Sequence, residues 1–408
     1  MLLFFFVFLF VILILGLEVM FMKKIKGYIK IFLQRLRRID YIIFYSWFKC
    51  TSKVNENKIL FLSDSRSDLS GNFEFVYNEI VKDKKYEINT LLKKNLSVKK
   101  SLKEKINMCR EMALSRVIFI DDFYPIIYAL KLRKDTSLVQ LWHAMGAFKT
   151  VGYSRSGKPG GPDSISLTHR GYTGAIVSSE SIRKNYAEAF NMDIEKVDAL
   201  GIPRTDIFFD KKYESNIKKK LYSKYPKLKN KKVILFAPTF RGNGQKSAYY
   251  NFDWIDFKKF KKAFSKDYVC IIKLHPFIKN VADYDFSNDD FYLDLTSERE
   301  INDLLFITDV LITDYSSVIF EYSFFERPVV FFTPDLDEYR DSRDFYYPLD
   351  KYTYGDVVMN DDELIKAIKK GKVDKKKIKE FKDYFCSSCD GKSTKKVVDY
   401  YVRKKGNR

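Results

Sequence analysis

The sequence predicts an α/β protein made of two doubly wound parallel sheets in tandem, preceded by an apolar and then basic N-terminal segment. Three observations carry this reading. Short β-rich runs alternate with longer stretches of helical character in both halves; the alternation breaks once, near Gly201-Ile202-Pro203; and chemically useful side chains gather at the carboxyl ends of the runs. A length of 408 residues suits two domains of middling size with terminal appendages. Hydrophobic residues at 46% and aromatics at 16% let each domain bury a core that offsets its conformational entropy, so disorder is not the default.

From Leu2 to Met22 the chain is almost wholly apolar, broken only by Gly16 and Glu18, and residues 1–22 form a membrane-anchor candidate of about bilayer-spanning length. The basic flank that follows, Lys23, Lys24, Lys26, Lys30, Arg35, Arg37 and Arg38, would hold the rest of the chain on the cytoplasmic side. A cleaved signal peptide fits less well, because the basic residues come after the apolar run and no small-residue cleavage site is evident. A start at Met20 or Met22 would remove the run altogether. In either case residues 23–50 mix Lys and Arg with Ile, Phe, Leu, Tyr and Trp, a pattern expected of a helix lying on an anionic membrane surface.

Lys and Arg outnumber Asp and Glu by 73 to 53, which points to anionic partners: lipid headgroups, polyanionic polymers, nucleotides or nucleic acid. No helix-turn-helix, RNA-binding aromatic signature or zinc finger supports nucleic acid. The cysteines, Cys50, Cys109, Cys270, Cys386 and Cys389, are odd in number and scattered, which argues against a secreted disulfide framework. Cys386 and Cys389 form one C-x-x-C without a second pair or a nearby His, and read as two reduced thiols.

The strand candidates of the first half are Ile59–Ser63, Tyr86–Leu92, Val117–Asp121, Leu138–Trp142 and Ala175–Ser178, within a domain over residues 58–205. The Gly/Pro-rich stretch Ser156–Pro162 reads as a mobile loop, and the Lys-rich stretch Lys211–Lys232 as a surface helix and connector. The second half, 206–390, restarts the alternation with Val233–Ala237, Val269–Leu274, Val310–Thr313 and Val329–Phe332, and residues 391–408 close the chain as a helix.

In an open parallel sheet ligands bind beyond the carboxyl ends of the strands, and here those ends are polar. Val233–Ala237 leads into Pro238-Thr239-Phe240-Arg241-Gly242-Asn243-Gly244, a turn with a fixed cation and exposed backbone amides. Val269–Leu274 leads into His275-Pro276, and Val310–Thr313 into Asp314-Tyr315-Ser316-Ser317, whose serines suit a helix start able to bind an anion. An Arg, a His and a Ser-Ser helix start on one side of one sheet suit a phosphate or pyrophosphate. Glu321, one helical turn later, would reach a ribose hydroxyl pair. In the first half, Gln140-Leu141-Trp142-His143-Ala144-Met145-Gly146-Ala147-Phe148-Lys149 follows a strand end. His143 would act as a general base across an interdomain cleft, Gly146 would let the backbone approach a ligand, and Lys149 would pair with a phosphate. His169, the third histidine, has no such placement and reads as a surface residue.

The segments Trp142–Lys149, Gly201–Asp206, Ala237–Gly242, His275-Pro276 and Thr313–Val318 occur in one order, and with Arg327-Pro328 through Asp335–Arg340 the chain resembles the CDP-glycerol glycerophosphotransferase family of teichoic acid synthesis. The resemblance runs from about Lys58 to the C-terminus. It implies a GT-B-like fold of two Rossmann-type domains facing a cleft, a CDP-glycerol or CDP-ribitol donor, a polyprenyl-diphosphate-linked acceptor, and attachment to the cytoplasmic face of the cell membrane. On this resemblance an acceptor hydroxyl attacks the donor phosphate that carries the alditol, releasing CMP. His143 takes the proton, while His275, Arg241, Thr239, Asp314, Ser316 and Ser317 hold the diphosphate and Glu321, a position that often carries Asp in the family, holds ribose. No carboxylate pair has metal-ligand spacing, so no cofactor or essential metal is expected, although Asp314 beside a diphosphate leaves Mg²⁺ open. Two rivals stand: a nucleotide-sugar glycosyltransferase of the same architecture, which would release UDP, and a basic binding protein indifferent to mutation of both histidines.

Overall fold

The computed structural model describes residues 22, 25–93, 99–158, 161–163, 165–242, 246–280, 284–286, 289–342 and 344–404. The apolar run up to residue 21, residues 159–160 of the expected loop and residues 243–244 of the turn after Arg241 lie outside the described residues. No helix among the described residues is long and apolar enough to cross a membrane.

Among the described residues, twelve parallel strands form two sheets. The first holds β1 (Asn55–Ser63), β2 (Glu87–Leu92), β3 (Ser115–Ile120), β4 (Ser137–Gln140), β5 (Gly174–Ile176) and β6 (Val197–Asp198), in the order β2-β1-β3-β4-β5-β6. The second holds β7 (Lys232–Phe236), β8 (Tyr268–Ile272), β9 (Tyr292–Asp294), β10 (Val310–Thr313), β11 (Val329–Phe332) and β12 (Asp356–Val358), in the order β12-β11-β10-β7-β8-β9. Read from β9, that is the strand order of the dinucleotide-binding fold, with its reversal between β7 and β10. The reversal leaves a crevice where two neighbouring strands send their chains to opposite faces of the sheet. Strands buried on both sides need continuous apolar runs, and Ile59 to Leu62 and Val233 to Phe236 supply them, each at most 3% exposed.

The chain then returns to the first domain. The helix Lys375–Phe385 docks where Ser178 Oγ donates to the Phe385 carbonyl at 2.6 Å. The helix Ser393–Val398 is capped at the junction between the domains: the N–H groups of Ser393 and Thr394 donate to Asp206 at 2.9 and 2.8 Å. Gly201 serves the same junction, since its φ is +83° and a Cβ there would meet Ser393 Oγ at 2.3 Å. Most of the Gly201–Asp206 motif is therefore a seat for the returning chain. At the N-terminus, residues 25–36 and Ile39–Thr51 are helical, and the second helix is tied to Leu102–Leu114 by an Asp40–Lys105 ion pair of 2.5 Å.

Candidate active site

The ends of β7 and β10 are stapled to each other. Thr313 Oγ1 donates to the Ala237 carbonyl at 2.7 Å, and Asp314 accepts the N–H groups of Thr239 and Tyr315 at 2.8 and 2.6 Å. The other Asp314 oxygen accepts from Arg241 Nη1 at 2.9 Å, and Arg241 Nη2 donates to Asp335 at 2.8 Å. The guanidinium lies 4.9 to 5.7 Å from the ring centres of Tyr250, Trp254, Tyr315 and Tyr339. Burial works against its charge, but Asp314 and Asp335 outweigh burial and raise its pKa. Arg241, Asp314 and Thr239, expected to face the donor, are not among the residues that line the cavity described next. The cation is consumed by two carboxylates and instead holds the crevice in shape.

Beside this staple lies a cavity of about 280 Å³ to which both domains contribute. The second domain supplies Ala237, Pro238, Lys273, His275, Arg299, Glu300, Asn302, Ser316, Ser317 and Glu321; the first supplies His143 and Arg204. Ser316 Oγ accepts the Val318 N–H at 3.4 Å, while Ser317 precedes the short helix Val318–Tyr322 without using its side chain as a cap.

The two histidines are held in opposite ways. His275 Nδ1 accepts the Phe277 N–H at 3.1 Å, so the neutral ring carries its proton on Nε2. Its ring sits 4.7 Å from Phe240 and 4.6 Å from Phe277. Burial first, then the charges of Lys149 and Lys273, lower its pKa to about 4. His143 has a side chain 45% exposed, with Nδ1 3.4 Å from the Asp121 carbonyl and 3.7 Å from Asp122 Oδ1. A carbonyl only accepts, so Nδ1 holds the proton and Nε2 keeps a lone pair. The Trp142 ring lies over this imidazole at 4.4 Å.

Glu321 is buried, pairs through Oε1 with Arg204 across the cleft, and keeps Oε2 without a hydrogen-bond partner on the cavity wall. Lys273 donates to the carbonyls of Thr296 and Glu298 at 2.9 and 2.8 Å, and burial lowers its pKa. Arg299 Nη2 donates to the Leu69 carbonyl of the first domain at 2.9 Å, a second tie across the cleft.

Of the expected contacts, Gly146 and Lys149 do not line the cavity. Gly146 has φ +68°, and a Cβ would lie 2.4 Å from the Phe320 ring, so the close approach is to the second domain and not to a ligand. Lys149 pairs its backbone with Phe345 and lies 5.4 Å from the Tyr339 ring, near enough to His275 to act on it by charge alone. His169 is 5% exposed, packed among Tyr128, Tyr172 and Phe190, and not at the surface. Arg204, Lys273, Arg299, Glu300 and Asn302 were not expected in the site. Arg204 lies inside a motif and Lys273 inside a strand run already singled out, whereas residues 299–302 follow β9, a strand of three residues that carries no local signal.

The sequence and the fold both have known relatives. The chain is 51% identical over 350 residues to the teichoic acid poly(ribitol-phosphate) polymerase of Bacillus spizizenii, an alignment covering 86% of this chain and 56% of that protein. It is 43% identical over 346 residues to the teichoic acid ribitol-phosphate polymerase TarL of Staphylococcus aureus, with coverage of 84% and 62%. It therefore spans little more than half the length of these polymerases. The teichoic acid ribitol-phosphate primase of Bacillus spizizenii is 37% identical over 381 residues, covering 91% of this chain and 97% of the primase. Among solved structures, the wall teichoic acid polymerase TagF superposes with a TM-score of 0.72 at 23% identity, over 92% of this chain and 98% of that one, which establishes the shared two-domain fold. The sequence profile of the CDP-glycerol:poly(glycerophosphate) glycerophosphotransferases matches residues 43–403, and the chain belongs to that family.

Proposed function

We propose that this protein transfers an alditol phosphate from a CDP-alditol to the terminal hydroxyl of a polyprenyl-diphosphate-linked teichoic acid acceptor, releasing CMP. The observation that carries the reading is the pair of histidines of opposite tautomer, one from each domain, facing a single cavity at the strand reversal. His143 Nε2 removes the acceptor hydroxyl proton as the oxygen bonds to the alditol-bearing phosphorus. The bond from that phosphorus to the bridging oxygen breaks, and the bridging oxygen leaves with CMP. His275 Nε2–H and the hydroxyls of Ser316 and Ser317 donate hydrogen bonds to the diphosphate, and Glu321 Oε2 accepts from a ribose hydroxyl. Arg204 and Lys273 supply positive charge at the same wall.

Of the two alditols the sequence leaves open, ribitol is favoured, because the two polymerases and the primase aligned above by sequence are named for ribitol phosphate, whereas a Bacillus spizizenii glycerol-phosphate polymerase is 35% identical over only 49% of the chain. Peripheral attachment to the cytoplasmic membrane face is supported by Tyr28, Phe32, Ile43 and Trp47, each more than half exposed on helices that also carry Lys26, Lys30, Arg35 and Arg38. The test is CMP release by purified protein from CDP-ribitol and, separately, CDP-glycerol, with a membrane extract as acceptor. Release from CDP-ribitol that His143→Ala abolishes is the expected result; turnover of neither donor, or of a UDP-sugar instead, would overturn the reading.

A further inference from the structure

His143 is presented by a peptide in an uncommon state. Trp142, the residue before it, has φ +47°, a left-handed conformation that brings the Cβ of an L-residue too close to the following carbonyl oxygen. Both hydrogen-bonding ends of that residue are gripped by buried primary amides. The Trp142 N–H donates to Gln140 Oε1 at 2.8 Å, and its carbonyl accepts from Asn72 Nδ2 at 2.8 Å; the same Nδ2 reaches the Leu141 carbonyl at 3.0 Å. Gln140 is 0% exposed and Asn72 3%. Their remaining bonds lead to the rest of the site. Gln140 Nε2 donates to the Asp122 carbonyl at 3.1 Å and the Tyr172 hydroxyl at 3.0 Å, and Asp122 is the carboxylate that faces His143. Asn72 Oδ1 accepts the N–H of Arg204 at 3.1 Å, and Arg204 is the cation paired with Glu321 across the cleft.

We infer that Gln140 and Asn72 are positioning residues for the transfer. Together they clamp Trp142 left-handed, fix where His143 Nε2 stands, and through Arg204 tie that position to the donor side. Neither amide lines the cavity, so both act through His143 and not on substrate. This inference rests on the transfer reaction proposed above. Displacing a reacting group by about 1 Å costs on the order of 100-fold in rate without removing the groups that bind the donor.

The test uses the full chain with Gln140→Met, which keeps length and apolar burial but loses all three side-chain bonds, and Asn72→Asp, which keeps shape but loses the donor. Both are expected to lower kcat about 100-fold while KM for CDP-ribitol stays within about threefold, and both should shift the NMR titration of the His143 ring. Thr136→Val is the control: Thr136 is equally buried, and its hydroxyl donates to the Ser115 carbonyl at 2.9 Å, in the same sheet but away from Trp142. It should lower the unfolding midpoint while leaving kcat and the His143 titration unchanged. A matching kcat loss in Thr136→Val, or an unmoved His143 titration in the amide variants, would overturn the inference. A wild-type protein that turns over no donor would sink the proposed reaction instead, and the titration would still decide whether the amides position His143.

Discussion

Each domain brings one histidine to the cleft, and the two sit in contrasting surroundings. His143, on the first domain, is half in solvent and meets the acceptor oxygens of Asp121 and Asp122. His275, on the second, is wedged between Phe240 and Phe277 within reach of two lysine charges, and its pKa falls to about 4. The atom that meets Nδ1 decides the task. An acceptor there leaves Nε2 able to take a proton; a donor there makes Nε2 a hydrogen-bond donor that stays neutral at physiological pH. In the transfer proposed above, one residue type would thus serve as base on the acceptor side and as electrophile on the donor side.

Removing His143 puts that contrast at greatest risk. His143→Ala is expected to cut kcat for CMP release by about 10²- to 10⁴-fold with donor KM little changed, the range of a lost general base. A loss below about tenfold would mean that solvent does the job and that the two histidines are not divided as described. Next comes Arg241→Met, which leaves Asp314 and Asp335 buried without their cation. The expected cost is about 3–5 kcal/mol of unfolding free energy, measured in urea, with donor KM unchanged in the protein that remains folded. A raised KM at unchanged stability would return Arg241 to donor binding.

His275→Ala tests the other half. Losing a donor aimed at charge that develops in the transition state should lower kcat/KM about 100-fold. The pH–rate profile should keep its shape above about pH 5.5, because a group lowered from 6.5 to about 4 has no protonation step left there. Loss of a limb of the profile in the variant would make His275 an acid.

Much of this was legible in the chain. Most of the nine strands it marks are apolar runs because a strand covered on both faces cannot alternate; β2, at a sheet edge, is the mixed exception. The three strands that periodicity misses, β6, β9 and β12, have two or three residues each and lie at sheet edges, too short to show any pattern. His143, His275, Ser316, Ser317 and Glu321, singled out because strand ends point to the crevice, line the cavity. Arg241 was misdirected because a cation after a strand looks the same whether it meets a ligand or a carboxylate 94 residues on. His169 was missed for a related reason: its ring partners Tyr128 and Phe190 come from elsewhere in the chain, and its loop carries no periodicity of its own.

His169 also shows that a buried, neutral histidine is not peculiar to the second domain, and this gives the smallest expected effect. Its Nδ1 lies 2.9 Å from the Tyr172 hydroxyl, and burial lowers its pKa to about 4 from the ordinary 6.5. Between those values the unfolded chain binds a proton that the folded protein refuses. Stability is therefore whole above about pH 6.5 and drains away as pH falls toward 4, by at most about 3 kcal/mol for the full interval. His169→Asn removes the titration and tolerates the left-handed backbone that His169 occupies at φ +58°. The variant should start less stable, because packing is lost, yet lose stability more slowly than wild type between about pH 6.5 and 4.5. The slope that persists in it belongs in part to His275, whose lowered pKa acts with the same sign. Urea midpoints across that window that fall in parallel for both proteins would show that His169 takes up its proton in the folded state, and that the contrast between the domains is sharper than the burial of these rings implies.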